Sequence, residues 1–251
     1  MNKSPLEEYK KCCKLASTSN LVFSSFRHRS EYTFMLDHVT YEQGLEYLKI
    51  VEDINPELLT HMDGFRKNDA VGSPNICDYG KYGIVCPSTL RYIKILADII
   101  HKFGSLDGMD IFEFGGGYGG QCRIISEVYN FKSYTIVDFP EVKELVNKYL
   151  SEFGVPNAKC ITTAELEDKD YDLFISNFAF TEIDKELQNM YMDKVVNRCK
   201  RGYVTCNVSG AMIRENIISN SHPELFSKLK HPYTVSKETP HTSDDNCLLL
   251  W

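Results

Sequence analysis

Between residues 111 and 121 the chain reads IFEFGGGYGGQ, an apolar run interrupted by Glu113 and followed by five glycines in six positions. Glycine tolerates positive φ and carries no Cβ, so backbone there can come very close to a ligand or to another segment. The spacing is Glu113-x-Gly115-x-Gly117-x-Gly119, not the GxGxxG of a dinucleotide turn. A carboxylate two residues before the first glycine repels a diphosphate and tolerates a ligand with positive charge. A second acid, Asp138, comes 23 residues after Gly115, where an acid can accept hydrogen bonds from both hydroxyls of a ribose. Phe139 beside it offers a ring for an adenine face. A plainer role for Asp138 is to cap a helix that starts at Pro140.

The proton chemistry has fewer candidates. Glu182 follows a short run, FAFT, after a strand-like segment ending at Ser176-Asn177; two phenylalanines nearby can dry it and raise its pKa. It also reads as a helix-start residue complementing the dipole. His241, in the polar stretch ETPHTSDDN, is the second candidate base, with His222 behind it. Asp244 and Asp245 could hold Mg²⁺, but adjacent acids in a polar loop are ordinarily solvated, and no metal is assigned.

These residues need elements to position them. From 109 onward strand-like runs (109–114, 133–139, 158–162, 171–177, 202–209) alternate with helical segments, which implies crossover units and a parallel sheet. Residues 140–153 put Val142, Leu145, Val146, Tyr149 and Phe153 on one side, closed by Gly154; residues 184–200 repeat Leu187, Met190, Tyr191 and Cys199. The runs 233–240 and 246–251 lack a helix between them and read as an antiparallel hairpin. Upstream, Thr40 and Gln43 form a capping box for a helix carrying Leu45, Leu48 and Val51. Residues 88–104 form another helix, capped by Ser88 or Thr89 and closed by Gly104, with Leu90, Ile93, Ala97 and Ile100 on one face. Between these helices, 61–87 is a long irregular segment, either a lid or a connector. The division expected is a helical cap and lid over 1–87 and a ligand-binding domain over 88–251.

A motif set emerges from this layout. ExGxGxG after the first strand, an acid closing the second and a final antiparallel hairpin resemble the class I S-adenosylmethionine-dependent methyltransferases. FEFGGGYGGQC, VDFPEV, YDLFISNFAFTEI and KETPHTSDDNCLLLW, with FRKNDAVGSPN and CPSTLRYIKILADII upstream, resemble the sugar O-methyltransferase family over roughly residues 25–251. The resemblance implies a Rossmann-like α/β fold: a seven-stranded, mostly parallel sheet in which NCLLLW supplies an antiparallel strand inserted between two others. It implies S-adenosyl-L-methionine as cofactor, with Glu113, Gly115, Gly117 and Gly119 along its amino-acid part and Asp138 and Phe139 at the adenosine. Ala164 and Glu165 border the adenine, and Ser176 and Asn177 complete the cofactor set. VDFPEV also resembles plant-type small-molecule methyltransferases, so another small alcohol or phenol is an alternative acceptor; those enzymes carry a histidine after the fifth strand, which VTCNVSGAM lacks. A silent scaffold that keeps the pocket is a third reading, and a nicotinamide dehydrogenase comes last.

The whole chain is compatible with this. Its 251 residues carry a net charge of -7 and 43% hydrophobic residues, ordinary for a soluble protein and unsuited to holding a phosphate backbone by bulk charge. Nucleic acid and membrane are not expected partners; a small-molecule or glycan sugar is. The N-terminal residues lack a signal-peptide core, so the expectation is cytoplasmic, with the nine scattered cysteines mostly reduced and buried. Twenty-nine tyrosines and phenylalanines could include sugar-stacking rings at Tyr32, Tyr79, Tyr82 and Tyr92, although most rings in such a protein pack in the core.

Overall fold

The computed structural model describes residues 4–207, 222–243 and 246–251. Seven strands form one sheet: β1 (Asp110–Phe114), β2 (Ser133–Val137), β3 (Ala158–Ile161), β4 (Tyr171–Asn177), β5 (Cys199–Cys206), β6 (Thr234–Lys237) and β7 (Cys247–Leu250). Their order is β3-β2-β1-β4-β5-β7-β6. The first five are parallel; β7 pairs antiparallel with both β5 and β6 and so lies between them, as expected for NCLLLW. The fold is therefore the Rossmann-like, mostly parallel seven-stranded sheet that the sequence implies.

Register decides where the site can be. Phe114 pairs with Val137 and Ser176, and Asn177 with Thr205, so the carboxyl ends of four parallel strands form one rim. Strand order reverses between β1 and β4, which opens a crevice at that rim. Because β7 runs backwards, Cys247 sits opposite both Cys206 and Lys237, and the loop that starts at Glu238 arrives at the same rim.

Alternation along β1 feeds two cores. Ile111 and Glu113 face the helices α1 (Pro5–Thr18), α2 (Tyr41–Ile54), α3 (Pro87–Phe103), α4 (Gly120–Ser126) and α5 (Pro140–Glu152); Phe112 and Phe114 face α6 (Lys185–Lys194). The first core is continuous from Tyr9 and Cys13 of α1 through Phe65 to Ile136 and Ile175, so the N-terminal helices and the sheet share one apolar interior.

Several local expectations change. Helix α3 starts one residue earlier, at Pro87, with Cys86 in the cap position. Thr89 lies inside the helix, and its hydroxyl donates to Asp69 at 2.7 Å and accepts from the Asn68 amide at 2.9 Å. The capping box of Thr40 and Gln43 forms, yet Leu45 is 45% exposed; the buried stripe of α2 is Gly44, Tyr47, Leu48 and Val51. Helix α6 stops at Lys194, and Cys199 starts β5, because Cys199 is drawn into pairing with Tyr171. The glycine turn leads directly into α4, which ends at Ser126.

Residues 61–87 contain short helical turns and a two-residue ribbon, Cys77–Asp78 against Ile84–Val85. A buried polar network pins this segment. The Asn68 amide donates to Thr89 and Tyr118 at 2.9 and 2.8 Å and accepts from Tyr149 at 2.6 Å. Fully buried Arg27 donates to the Asn68 carbonyl and to Asp69, and its guanidinium lies 4.5 Å from the Tyr118 ring centroid. Opening this part as a flap costs several buried hydrogen bonds, each roughly 1–3 kcal/mol when left unmade. All nine cysteines are free thiols, seven of them buried. No described helix is long and apolar enough to cross a membrane.

Candidate active site at the carboxyl rim

The glycine turn joins β1 to α4 at the crevice. Gly115 has φ 75°, and a Cβ there would lie 2.2 Å from the Cβ of Ala179, so the turn is pressed against the segment after β4. Gly117 has φ 58° and sits beneath the N-terminal cap; a Cβ on it would be 3.0 Å from Leu36 Cδ1 and 3.9 Å from the Tyr32 hydroxyl. Close approach to other protein segments thus accounts for part of the glycine content.

Glu113 lies beneath the turn, 2% exposed, and accepts from the Tyr134 hydroxyl at 3.0 Å. Burial pushes its carboxyl up to about 8, opposed by the Tyr134 hydrogen bond and reinforced by the charge of Asp138. At neutral pH the buried group holds its proton, so the repulsion of anions read from its charge does not operate in this arrangement.

Asp138 follows β2. Its carboxylate accepts from the Gly117 N–H at 3.3 Å and the Phe139 N–H at 2.8 Å, and burial raises it to about 7. The cap of α5 is Phe139, so Asp138 bridges the second strand to the glycine turn and does not cap the helix. Phe139 is 40% exposed, with the Lys10 ammonium of α1 4.2 Å from its ring centroid. After β3, Glu165 closes a capping box on Thr162 and pairs with Lys143 at 2.6 Å, leaving Ala164 exposed at the same end of the sheet.

At the end of β4 the side chains have separate tasks. Ser176 is fully buried, donating to the Phe114 carbonyl and accepting from the Phe180 N–H, both at 3.1 Å. Its role is to hold the turn. Asn177 faces a small cavity of about 20 Å³, lined also by Phe178, Thr205, Arg91, Tyr47 and Glu238. Phe178 takes φ 71°, ψ -44°, an uncommon conformation for a residue with a Cβ, and its N–H is satisfied by the Thr205 carbonyl at 2.8 Å.

Glu182 ends the short helical turn Ala179–Thr181, whereas α6 begins at Lys185 under Asp184, whose carboxylate accepts from the Leu187 N–H at 2.8 Å. Glu182 is thus not a helix-start residue. Half-buried, it has its pKa raised by burial, against a 2.8 Å hydrogen bond from the Asn207 side-chain amide. It does not line the cavity. His241 is exposed on the hairpin loop and does not line it either. The side chain of His222, and Asp244 and Asp245, lie outside the described residues.

The acid that does line the cavity is Glu238, which the sequence leaves undistinguished in its polar loop. One oxygen, Oε2, accepts from the Thr242 N–H, the Thr242 hydroxyl and the Asn246 amide, which fixes the carboxylate. Arg91 is the other unflagged residue. Five buried polar atoms near the turn and the cavity have no hydrogen-bond partner among the described residues: Tyr32 Oη, Asp37 Oδ1, Tyr47 Oη, Arg91 Nε and Gln121 Oε1. Native interiors leave few such atoms unsatisfied.

No family model and no curated relative matches the chain. Solved structures with a similar course include a candidate sarcosine dimethylglycine methyltransferase from Galdieria sulphuraria (18% identity, TM-score 0.47, covering 59% of this chain). The chain spans 65% of that protein's length, just under two thirds. Another is the N-methyltransferase NodS from Bradyrhizobium japonicum in complex with S-adenosyl-L-homocysteine (13% identity, TM-score 0.48, covering 64% of this chain and 83% of that one). A third is a SAM-dependent methyltransferase from Aquifex aeolicus (14% identity, TM-score 0.44, covering 61% of this chain and 86% of that one). At this distance nothing about chemistry or substrate passes from them to this chain.

Proposed function

We propose that the chain is an S-adenosyl-L-methionine-dependent O-methyltransferase whose acceptor is a sugar hydroxyl. The observation that carries the cofactor half is the juxtaposition of the glycine turn with Asp138, bonded through the Gly117 N–H at the point where strand order reverses. Asp138 would take the ribose hydroxyls, Phe139 and Ala164 would flank the adenine with Glu165 at its edge, and the turn from Glu113 to Gly119 would follow the amino-acid part. Asn177 would meet the far end, while Ser176 acts from beneath by holding the turn. The unpartnered Tyr32 hydroxyl beside Gly117 fits a ligand with a hydrogen-bonding group there.

When bound, the cofactor supplies a sulfonium methyl with an excellent leaving group. The chain's own residues must then align an acceptor oxygen, exclude water and accept its proton. The rim beyond β4 and β5 carries groups of the kind a polyhydroxylated acceptor needs, since Asn177, Thr205, Glu238 and Arg91 offer donors and acceptors beside the apolar Phe178 and Ile95. Glu182 is the proposed base, because burial raises its proton affinity. Glu238, held by three donors on one oxygen, orients the acceptor hydroxyl. That it lines the cavity while Glu182 does not favours a second reading, with Glu238 as base.

The deciding experiment is incubation with labelled S-adenosyl-L-methionine and panels of free sugars, nucleotide-activated sugars and small phenols, with products read by mass. Methylated sugar is expected. A methylated phenol alone would sink the sugar reading, and cofactor binding without any transfer would favour a silent scaffold.

A further inference from the structure

Strand β5 ends on a cysteine and β7 begins on one, and the register sets the two face to face. Cys206 is the partner of Cys247 across the antiparallel pair, and both pack against the same apolar core. Gly202 and Trp251 exchange both backbone hydrogen bonds, and alternation along the ladder makes Cys206 and Cys247 a pair of the same kind. Facing residues of that kind have Cα atoms about 5.5 Å apart, inside the range of about 4.4–6.8 Å that a disulfide spans. The two thiols are hydrogen-bonded to each other.

The chain neighbour of each cysteine supports a carboxylate at the rim. Asn207, beside Cys206, donates from its side-chain amide to Glu182 at 2.8 Å and from its N–H to the Thr181 hydroxyl at 3.1 Å. Asn246, beside Cys247, donates to Glu238 at 3.2 Å and to the Thr242 hydroxyl at 2.7 Å. A bond between the two sulfurs joins the supports of both acids. Cys206 is fully buried and Cys247 half-buried, so an oxidant meets Cys247 first. The hydrogen bond to Cys247 holds the proton on Cys206 and raises that thiol well above its ordinary value, with burial adding to it.

We propose that Cys206 and Cys247 form a reversible disulfide on exposure to peroxide, and that the cross-link slows methyl transfer by displacing the supports of Glu182 and Glu238. The Cys247 thiolate attacks one peroxide oxygen and breaks the O–O bond, giving a sulfenic acid and a hydroxide that takes up a proton as water. The Cys206 sulfur then attacks the Cys247 sulfur, loses its proton and expels the hydroxyl group as a second water. Two thiols are oxidised to one disulfide, and one peroxide is reduced to two waters. A sulfur–sulfur bond of about 2.0 Å draws the two strand ends together. A displacement of about 1 Å at catalytic groups costs on the order of 10²-fold in rate. The disulfide stands on strand register; its effect on turnover rests on the methyltransferase reading above.

The test treats the full chain with hydrogen peroxide, blocks remaining thiols, digests without reductant and reads the peptides by mass. The expected product is the peptide pair joined through Cys206 and Cys247, released by dithiothreitol and absent from Cys247→Ser. Methylated product formed from the sugar panel should fall by roughly 10–100-fold on oxidation and recover with dithiothreitol. Cys247→Ser should keep its turnover through the same treatment. The map of the parent and its reversal do not depend on the variant folding. No cross-link, or Cys247 joined to a different cysteine, overturns the disulfide. A cross-link with turnover unchanged overturns the coupling to the carboxylates. If the reduced parent transfers no methyl group, the methyltransferase reading fails and takes the coupling with it, while the peptide map still decides the disulfide.

Discussion

Glu182 and Glu238 are two carboxylates near one rim, and what surrounds each differs in kind. Glu182 is half-buried with a single amide donor, so it keeps a raised proton affinity; Glu238 has three donors converging on one oxygen, which holds its orientation. Glu182→Gln is expected to lower turnover by roughly 10²–10⁴-fold with little change in S-adenosyl-L-homocysteine affinity. Glu238→Gln should act mainly on acceptor KM. In the parent enzyme kcat should rise with pH through the elevated pKa of Glu182, because only the ionised form accepts a proton. Reversed effects in the two variants would move the base to Glu238, and a dead His241→Ala would move it to the loop. Asp138→Ala should first weaken the cofactor, by roughly tenfold or more for a lost charged hydrogen bond, measured by calorimetry.

At the scale of elements, the C-terminal hairpin depends on one close contact. Gly202 in β5 exchanges backbone hydrogen bonds with Trp251, and a Cβ on it would lie 2.1 Å from the indole ring. The indole N–H also donates to the Cys199 carbonyl at 3.2 Å. Gly202→Ala has no room, so the ring or the strand must shift, at about 1–3 kcal/mol. Thermal melting should show a lower Tm for this variant, and an unchanged Tm would mean that the ring moves freely. The Arg27 hub makes the same point for the cap. It holds Asp37, Asp69 and the Asn68 carbonyl while fully buried, so Arg27→Ala strands the Asp37 carboxylate, while Asp69 keeps the Thr89 hydroxyl and the Cys86 N–H, and should cost about 3–5 kcal/mol by denaturant titration.

The whole molecule responds to pH through two acids near the turn, Glu113 buried and Asp138 half-buried. Glu113 and Asp138 both have pKa values raised by burial, to about 8 and about 7, above their ordinary values of 4.5 and 3.8. The folded state therefore binds protons more tightly than the unfolded chain. Their contribution is fully present below the ordinary values and is lost as pH rises through the folded ones. Glu113→Gln removes one such proton site, so its stability relative to the parent should improve steadily between pH 5 and pH 8. The expected gain is on the order of a few kcal/mol at about 1.4 kcal/mol per pKa unit, read from urea titrations across that range. A constant difference across the range would place Glu113 in a better solvated setting.

Much of this protein was legible in one dimension because periodicity and local chemistry are one-dimensional. Strand and helix alternation, the reversed last strand, the capping box, and the pairing of a glycine turn with an acid 23 residues later all follow from residue type and spacing. Boundaries slipped where residues found tertiary partners: Thr89 lies inside α3 and bonds Asp69 instead of capping the helix, and Cys199 joins β5 instead of extending α6. The remaining decisions belong to distance in space. Glu113 keeps its proton because burial removes the water that would stabilise its charge. Glu238 reaches the rim only because β7 runs antiparallel beside β5. Asp37 and Arg27, ordinary in type, become a buried ion pair with one carboxylate oxygen left unbonded only when the N-terminal segment folds. No spacing rule reports such a pair, since the energy of a charge depends on what surrounds it after folding.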